Sequence, residues 1–153
     1  MHMTKWIVGC DHAALDLKNK VKAALEQKGL DVKDVGVFSD APSNYALIAD
    51  TFCEHFLKEE NAKGVLLCGS GIGISIRANR YRHVRAALVH DTATAELSRK
   101  HNDANVLCMG SRTIPQDVAM ACLERFLTSE FEGGRHTERV QALDAPLKIQ
   151  HEG

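Results

Sequence analysis

A cysteine stands at the entrance to a glycine-rich loop in the middle of the chain. The sequence from 64 to 76 is GVLLCGSGIGISI, in which an apolar run ends at Cys68 and three glycines follow: Gly69, Gly71 and Gly73. Glycines let the backbone turn its N–H groups towards a ligand, and the helix predicted from Ile72 adds the positive end of its dipole. This loop favours an anion, either a phosphate or an oxyanion formed during a reaction, although a glycine turn that only starts a helix has the same pattern.

The thiol of Cys68 has two interpretations. At a helix N-terminus the pKa of a cysteine falls below its ordinary value of about 8.5, which would make Cys68 a nucleophile or a general base. A free cysteine is otherwise a small buried hydrophobe, and we expect that role for the others: Cys10, Cys53, Cys108 and Cys122. The loop that follows Cys68 distinguishes it from them and favours a chemical role.

Polar residues that can act with this thiol follow the first predicted strand. Asp11 and His12 complete the sequence GCDH. An aspartate just before a helix is often only an N-cap, and a lone histidine is often a surface residue. Because both end a strand that lies across from Cys68 in the predicted sheet, we favour a functional role for them.

Two clusters nearer the C-terminus add imidazole, amide and guanidinium groups. The sequence SRKHNDAN places His101 and Asn102 at the end of a predicted helix, where a histidine can also simply complement the helix dipole. Arg135 and Arg139 are four residues apart in GGRHTER, so one helical face would carry both guanidiniums, an arrangement that suits a phosphate. These arginines, and Arg112 after the last predicted strand, also fit a solvated basic surface.

Apolar runs and amphipathic segments alternate along the chain and position these groups. The predicted strands are 6–10, 31–37, 65–68, 84–89 and 106–109, and the predicted helices are 13–28, 45–59, 72–80, 92–100 and 115–128, with Pro115 in a first-turn position. Five strand–helix units in succession predict an α/β fold with a parallel sheet and helices on both faces. The segment from Gly133 contains a short amphipathic stretch, expected to reach over the domain or onto a partner chain.

The expected strand order is 2-1-3-4-5, which is common in sheets of this kind. Its switch point lies between strands one and three, and ligands of such folds bind beyond the carboxyl ends of the strands. A thiol, a carboxylate, an imidazole and the amides of the glycine loop would then converge on one crevice. Together with an arginine pair, these groups suit proton transfer next to the carbonyl of a small phosphorylated substrate.

The composition narrows the class of protein. The chain of 153 residues is 44% hydrophobic and 25% charged, which predicts one globular domain over 1–153. A net charge of -1 gives no indication of a nucleic-acid or membrane partner, and no apolar run approaches the roughly 20 residues of a membrane helix. The cysteines are scattered and form no CxxC pair. This pattern predicts that the protein resides in a reducing cytoplasm and has neither a disulfide framework nor a structural zinc site.

Four motifs, in this order, resemble those of the ribose-5-phosphate isomerase type B family, whose superfamily includes allose-6-phosphate and galactose-6-phosphate isomerases. They are GCDHAALDLK, LLCGSGIGISIRANR, LSRKHNDANVLCMGSR and FEGGRHTERV, and the resemblance covers about 5–143. It implies a Rossmann-like three-layer fold and an aldose–ketose isomerase of the pentose phosphate pathway that uses no metal or cofactor. It also implies a cytoplasmic homodimer or tetramer, with each active site built from two subunits and the C-terminal helix directed towards the partner.

The resemblance implies a role for each candidate residue. Cys68 would move a proton between C1 and C2 of the sugar, and the amides of the glycine loop would stabilise the enediolate, with Ser70 in place of the usual threonine. His101 of the partner subunit would open the furanose ring, with Asp11 on the ring oxygens. The remaining candidates would bind the substrate: Tyr45 and Asn102 the sugar, His12, Arg112, Arg135 and Arg139 the phosphate, and the backbone of Gly69, Gly71, Ile72 and Gly73 the reacting oxygens.

Two departures from the family pattern affect the sugar pocket. The chain has Asn44-Tyr45-Ala46 where the family often has Asp-Tyr-Pro, and Ser70 lacks the threonine methyl group. Because both concern the substrate more than the reaction, an isomerase of six-carbon 6-phosphates, of the allose or galactose type, is an alternative. A non-catalytic sugar-phosphate-binding module would need the loop and the arginines without the thiol. A cysteine phosphatase would need an arginine six residues after Cys68, where this chain has Ile74.

Overall fold

A computed structural model describes residues 3–149, which form a parallel sheet between two layers of helices. The strands are β1 Lys5–Cys10, β2 Asp31–Asp34, β3 Lys63–Cys68, β4 Ala86–Leu88 and β5 Val106–Gly110. The helices are α1 Leu15–Gln27, α2 Tyr45–Lys58, α3 Ile72–Ala78, α4 Thr92–Lys100, α5 Gln116–Thr128 and α6 His136–Asp144, and a 3₁₀ turn, His12–Ala14, precedes α1. The predicted α/β fold is confirmed. Over the described range, no helix combines the length and apolarity needed to cross a membrane.

The strand order differs from the predicted one at one edge of the sheet. The observed order is β2-β1-β3-β5-β4, so the prediction 2-1-3-4-5 is wrong for its last two strands. β5 is buried along its whole length and pairs with β3 from Val106 to Gly110. β4 has three half-buried residues and pairs with β5. The longer, fully apolar strand therefore takes the position that is covered on both faces, and the short strand takes the edge.

Alternate residues of the central strands pack on opposite faces of the sheet. Trp6, Val8, Val65 and Leu67 face the side covered by α1, α4 and α5, whereas Ile7, Leu66 and Cys68 face the side covered by α2 and α3. The strand periodicity thus directs the Cys68 side chain towards the helix that follows the glycine loop.

The four remaining cysteines are buried, as predicted, and their thiols are free. Burial raises the pKa of Cys10 to about 11 and that of Cys53 to about 12, and it also raises the pKa of Cys108 and of Cys122. These thiols therefore stay protonated near neutral pH, which suits small core side chains rather than reactive groups.

Short polar side chains cap the start of two of the helices. The Asn44 side chain accepts the N–H of Ala46 at 2.9 Å and caps α2, and Asp91 accepts the N–H of Thr94 at 2.8 Å and caps α4. Pro115 precedes α5 as its N-cap residue, so the prediction of a first-turn position is wrong by one residue. The cap on α2 fixes the position of Tyr45, the first residue of that helix.

The C-terminal helix α6 is joined at its carboxyl end to the loop before β4. The Asp144 carboxylate accepts from Nη1 of Arg85 at 2.8 Å, and the Asp144 carbonyl accepts from Nε of Arg82 at 2.7 Å. The segment that begins at Gly133 therefore reaches over its own chain as far as the end of α6.

Candidate active site

The structure divides the candidate residues into two groups at opposite edges of the sheet. The first group lies beyond the carboxyl ends of β1, β3 and β5, and it comprises Asp11, His12, Tyr45, Cys68, Gly69, Ser70, Gly71, Ile72, Gly73 and Arg112. The second group lies around the turn before β5 and the start of α6, and it comprises His101, Asn102, Arg135 and Arg139. Since a parallel strand rises about 3.3 Å per residue, the length of β3 alone separates the two edges by roughly 16 Å.

All members of the first group except His12 and Gly71 line an open cavity of about 590 Å³. Side chains of the rim are apolar and exposed, with 46% of Tyr45, 48% of Ile72 and 62% of Ile76 accessible to solvent. The polar groups of the lining include the buried Asp11 and Cys68 and the exposed Arg112. This volume lies within the range of small-molecule sites, and the few convergent polar groups are typical of them.

Cys68 lies at the bottom of this cavity as the last residue of β3, with 4% of the residue exposed. The backbone N–H of Gly71 donates a hydrogen bond to its Sγ at 3.1 Å. Because α3 begins at the next residue, Ile72, the sulfur lies at the N-terminus of that helix. A donated N–H and the positive end of a helix both stabilise negative charge on sulfur, which is what a thiol that takes up and releases a proton requires.

The shape of the glycine loop requires glycine at two positions, 71 and 73. Gly71 has a φ of 77° in the left-handed region, and a Cβ there would lie 2.7 Å from Cδ1 of Leu88. A Cβ on Gly73 would lie 2.5 Å from the ring of Tyr45. Gly73 therefore lets the tyrosine ring lie against the start of α3. The Ser70 hydroxyl accepts the N–H of Ile72 at 3.1 Å, which holds the loop from within.

Asp11 and His12 are held by hydrogen bonds at the end of β1. Oδ1 of Asp11 accepts the N–H of Ala13 at 3.0 Å, so Asp11 caps the 3₁₀ turn as well as lining the cavity. The Ser43 backbone N–H donates to Nδ1 of His12 at 3.1 Å. In the neutral imidazole this leaves the proton on Nε2, which can donate to a ligand.

Arg112 joins the cavity from the loop after β5. Its backbone N–H donates to the Gly69 carbonyl at 2.9 Å, and its guanidinium lies next to Gly69, where the nearest atoms are 3.6 Å from an ideal Cβ position. The adjacent strands β3 and β5 thus bring a cation to the glycine loop. This placement favours the anion-binding interpretation of Arg112 over a solvated surface.

The second group is accessible from solvent. His101 is half-buried, whereas Asn102, Arg135 and Arg139 are exposed. The ring of His101 stacks on that of His136 with centroids 4.2 Å apart, and its Nε2 lies 3.3 Å from Oε1 of Glu132. Burial, together with the cations around it, lowers the pKa of His136.

The cluster of His101, Glu132 and His136 brings three potential metal-ligand atoms within 4.8 Å of one another. The two rings are nearly parallel, with 13° between their planes. Because the lone pair of each imidazole nitrogen lies in its ring plane, stacked rings do not direct two lone pairs at one ion. The observed arrangement instead holds the His101 ring between a carboxylate and a second imidazole.

Three contacts of the site were not identified from the sequence. Glu132 and His136 position His101, and Ser43 orients His12. Glu132 and His136 are four residues apart in the motif FEGGRH, and this spacing could have indicated that their side chains lie close together. Ser43 lies 31 residues from its partner, and no local pattern connects them.

Comparisons with known proteins identify the family of the chain. The sequence model of the ribose/galactose isomerase family matches residues 7–143. The chain is 38% identical over 143 residues to ribose-5-phosphate isomerase B of Escherichia coli, with 94% of this chain and 96% of that protein covered. It is 39% identical over 140 residues to D-erythrulose-4-phosphate isomerase of Pectobacterium atrosepticum, with 89% of this chain and 90% of that protein covered.

A solved structure supports the same relationship. The chain resembles ribose-5-phosphate isomerase B of Mycoplasma genitalium with bound ribulose 5-phosphate, with a TM-score of 0.83 and 35% sequence identity. The similarity covers 93% of this chain and 95% of that one. The family match spans nearly all of the described residues and includes both groups of candidate residues. The chain therefore belongs to the ribose/galactose isomerase family and is an isomerase.

Proposed function

We propose that the chain interconverts ribose 5-phosphate and ribulose 5-phosphate, with Cys68 as the base that moves the proton. The observation that carries this proposal is the Cys68 sulfur itself, which accepts the Gly71 N–H at 3.1 Å at the bottom of an open polar cavity. The relatives from E. coli and M. genitalium are ribose-5-phosphate isomerases, which supports the five-carbon substrate. The free thiols suit a reducing cytoplasm.

The proposed reaction moves one proton between two carbons. The Cys68 thiolate removes the proton from C2 of the open-chain aldose, the electrons of that bond form the C1–C2 double bond, and the carbonyl electrons move to O1. The thiol then returns the proton to C1 as O2 becomes the carbonyl, and a hydroxyl proton passes from O2 to O1. The amides of Gly69, Ser70 and Gly73 would stabilise the charge that develops on the enediolate oxygens. Those of Gly71 and Ile72 already donate to the Cys68 sulfur and the Ser70 hydroxyl.

The phosphate and the sugar ring require the residues at the other edge of the sheet. His101 and Asn102 lie too far from Cys68 within one chain to contact the same substrate, because β3 lies between the two edges. We therefore propose a homodimer in which each cavity receives the partner's His101 as the acid that opens the furanose ring. The exposed guanidiniums of Arg135 and Arg139 would bind the phosphate.

The assay must also determine how many carbon atoms the preferred sugar phosphate contains. Tyr45 and Ser70 border the sugar side of the cavity and carry the two departures from the family pattern. A relative that is 39% identical is named for a four-carbon substrate, and the family name includes galactose. Four-carbon and six-carbon phosphates therefore belong in the same assay.

The test is the interconversion of ribose 5-phosphate and ribulose 5-phosphate, in the presence of EDTA, by the unmodified chain and by Cys68→Ala. We expect turnover by the former and a loss of at least 10²-fold in kcat for the variant, as for removal of a general base. Cys53→Ala, which removes a core thiol, is the matched control and should retain turnover. Turnover of only a four- or six-carbon sugar phosphate would be consistent with the proposed mechanism and would contradict the proposed substrate.

A second outcome would reject the enzymatic mechanism. If the variant Cys68→Ala binds and converts the sugar phosphate as well as the unmodified chain, Cys68 is not the base. If neither protein converts any of the sugars but both bind them, the chain is a sugar-phosphate-binding module.

A further inference from the structure

A second cavity, of about 400 Å³, lies at the amino edge of the sheet, on the side opposite Cys68. We call it the amino-edge cavity. Its lining includes Asn61 and Lys63 at the start of β3, His83 and Arg85 before β4, and Arg99 and Asp103 around the turn before β5. Nothing in the proposed reaction uses this cavity.

Arg99 brings an incompletely paired guanidinium to the cavity. The residue is 5% exposed, and its Nη1 donates to Oδ1 of Asp103 at 2.8 Å and to the Ala104 carbonyl at 2.7 Å. Its Nε is buried and has no hydrogen-bond partner in the described part of the chain. A buried donor without an acceptor is unfavourable, and a ligand oxygen could remove that cost after a small movement of the side chain.

Lys63 adds a second cation beside the first. It is half-buried, and no ion pair with a carboxylate within 4 Å is formed by its amine in residues 3–149. Burial and the neighbouring Arg99 lower the pKa of Lys63, and these effects exceed the opposing ones of Asp103 and Glu130. Because burial is the largest of these causes, an anion bound beside the Lys63 amine would stabilise its charged form.

The carboxylates around the cavity are largely committed to other partners. Asp103 accepts from Arg99 at 2.8 Å and lies 3.6 Å from Nη2 of Arg85, whose Nη1 binds Asp144 at 2.8 Å. The remaining carboxylate of the lining, Glu59, is exposed. Lys63 and part of Arg99 are thus the groups left for a ligand.

The backbone around the cavity is also unusual. Three residues other than glycine have positive φ in the described chain: Asn61 at 58°, His83 at 72° and Asp103 at 46°. All three line the amino-edge cavity. Sparsely populated backbone conformations concentrate at ligand-binding sites, and here they bring three loops to one point.

We propose that the amino-edge cavity binds a phosphate group, held by Lys63 and Arg99. Guanidinium and ammonium groups are the usual recognition elements for phosphate oxygens. The volume exceeds that of a phosphate alone and would admit a small phosphorylated metabolite as well as free phosphate. The site is separate from the cavity around Cys68, so its existence does not depend on the proposed reaction.

The test uses ¹H–¹⁵N spectra of the full chain, titrated with inorganic phosphate to about 20 mM, well above a millimolar dissociation constant, at constant ionic strength. We expect saturable shifts of the backbone amides of Lys63, Asp103 and Ala104. Lys63→Gln should weaken binding there at least tenfold while leaving any response of Gly69 to Gly73 in place. Lys58→Gln removes the same charge from an exposed position outside the lining and should bind as the unmodified chain does.

Two results would overturn the proposal. One is the absence of a saturable shift at the three amides in the unmodified chain, and the other is an equal response in Lys63→Gln. Thermal unfolding of both variants shows whether each is folded before it is titrated. A parallel titration with glycerol 3-phosphate separates the two sources of the group: tighter binding than inorganic phosphate assigns the cavity to a phosphorylated metabolite, and equal or weaker binding assigns it to free phosphate.

Discussion

Replacing Gly71 by alanine should destabilise the fold and damage the site at the same time. The φ of 77° is unfavourable for alanine, and the new Cβ would lie 2.7 Å from Cδ1 of Leu88 and 2.8 Å from the carbonyl carbon of Met109. The left-handed conformation costs about 1 kcal/mol, and overpacking costs about 1–3 kcal/mol. We therefore expect the free energy of unfolding to fall by about 2–4 kcal/mol, which lowers Tm by about 4–16 °C in a chain of this size.

The matched control is Gly69→Ala in the same loop. The nearest atoms to its Cβ would be those of Arg112 at 3.6 Å, an ordinary contact distance. We expect its free energy of unfolding to change by no more than about 0.5 kcal/mol. Urea unfolding followed by circular dichroism measures both variants under the same conditions.

The kinetic consequence concerns the N–H that Gly71 donates to Cys68. Movement of the Gly71 backbone would remove a donor from the sulfur, and we expect kcat to fall at least tenfold, as for loss of a donor to a reacting group. If Gly71→Ala unfolds at the same urea concentration as Gly69→Ala and keeps its kcat, the steric and hydrogen-bonding argument for this loop is refuted.

Three further predictions concern assembly, pH and a buried charge. Mixing inactive Cys68→Ala and His101→Ala chains should restore about a quarter of the activity, because half of the randomly paired dimers carry one intact site. The lowered pKa of His136 means that the unfolded chain binds its proton more readily, so the free energy of unfolding should fall as pH drops below about 6.5, and less so in His136→Gln. Lys18 is fully buried with its Nζ 2.9 Å from Asp34, so Lys18→Met should cost about 3 kcal/mol in urea unfolding, because that carboxylate keeps only the Gly36 N–H and the more distant Lys22 amine at 3.8 Å.

Each of these has a result that contradicts it. Absence of recovery after demonstrated subunit exchange would reject the shared site. Equal pH dependence in His136→Gln and the unmodified chain would reject the titration of His136 as a cause. A Lys18→Met variant as stable as Lys20→Met, which removes an exposed lysine of the same helix, would show that the buried pair contributes no net stability.

The alternation of strands and helices could be predicted because it depends on local periodicity. The order of the strands in the sheet could not be predicted in this way, because packing across the whole sheet decides whether β4 or β5 pairs with β3. The difference between them was nevertheless present in the sequence. Val106 to Met109 are continuously apolar, whereas β4 consists of three residues, two of them alanine.

The same distinction explains which parts of the candidate site were found. The contact between Cys68 and Gly71 spans three residues, so a short motif contains all of it. The contact of His101 with Glu132 and His136 requires the start of α6 to lie against the turn before β5. Such a contact depends on the path of the whole chain. In the sequence, only the order of the family motifs indicated that the segments containing His101 and His136 belong to one site.

The placement of Cys68 and His101 at opposite edges of one sheet affects the concentration of complete active sites in a solution of the protein. Under the proposed sharing, a lone chain carries halves of two sites and no complete one. Activity per chain would then fall on dilution, as the dimer dissociates by mass action, and would return on concentration. A substrate that contacts both halves would shift this equilibrium towards the dimer, so the sugar phosphate would promote assembly of the sites that convert it.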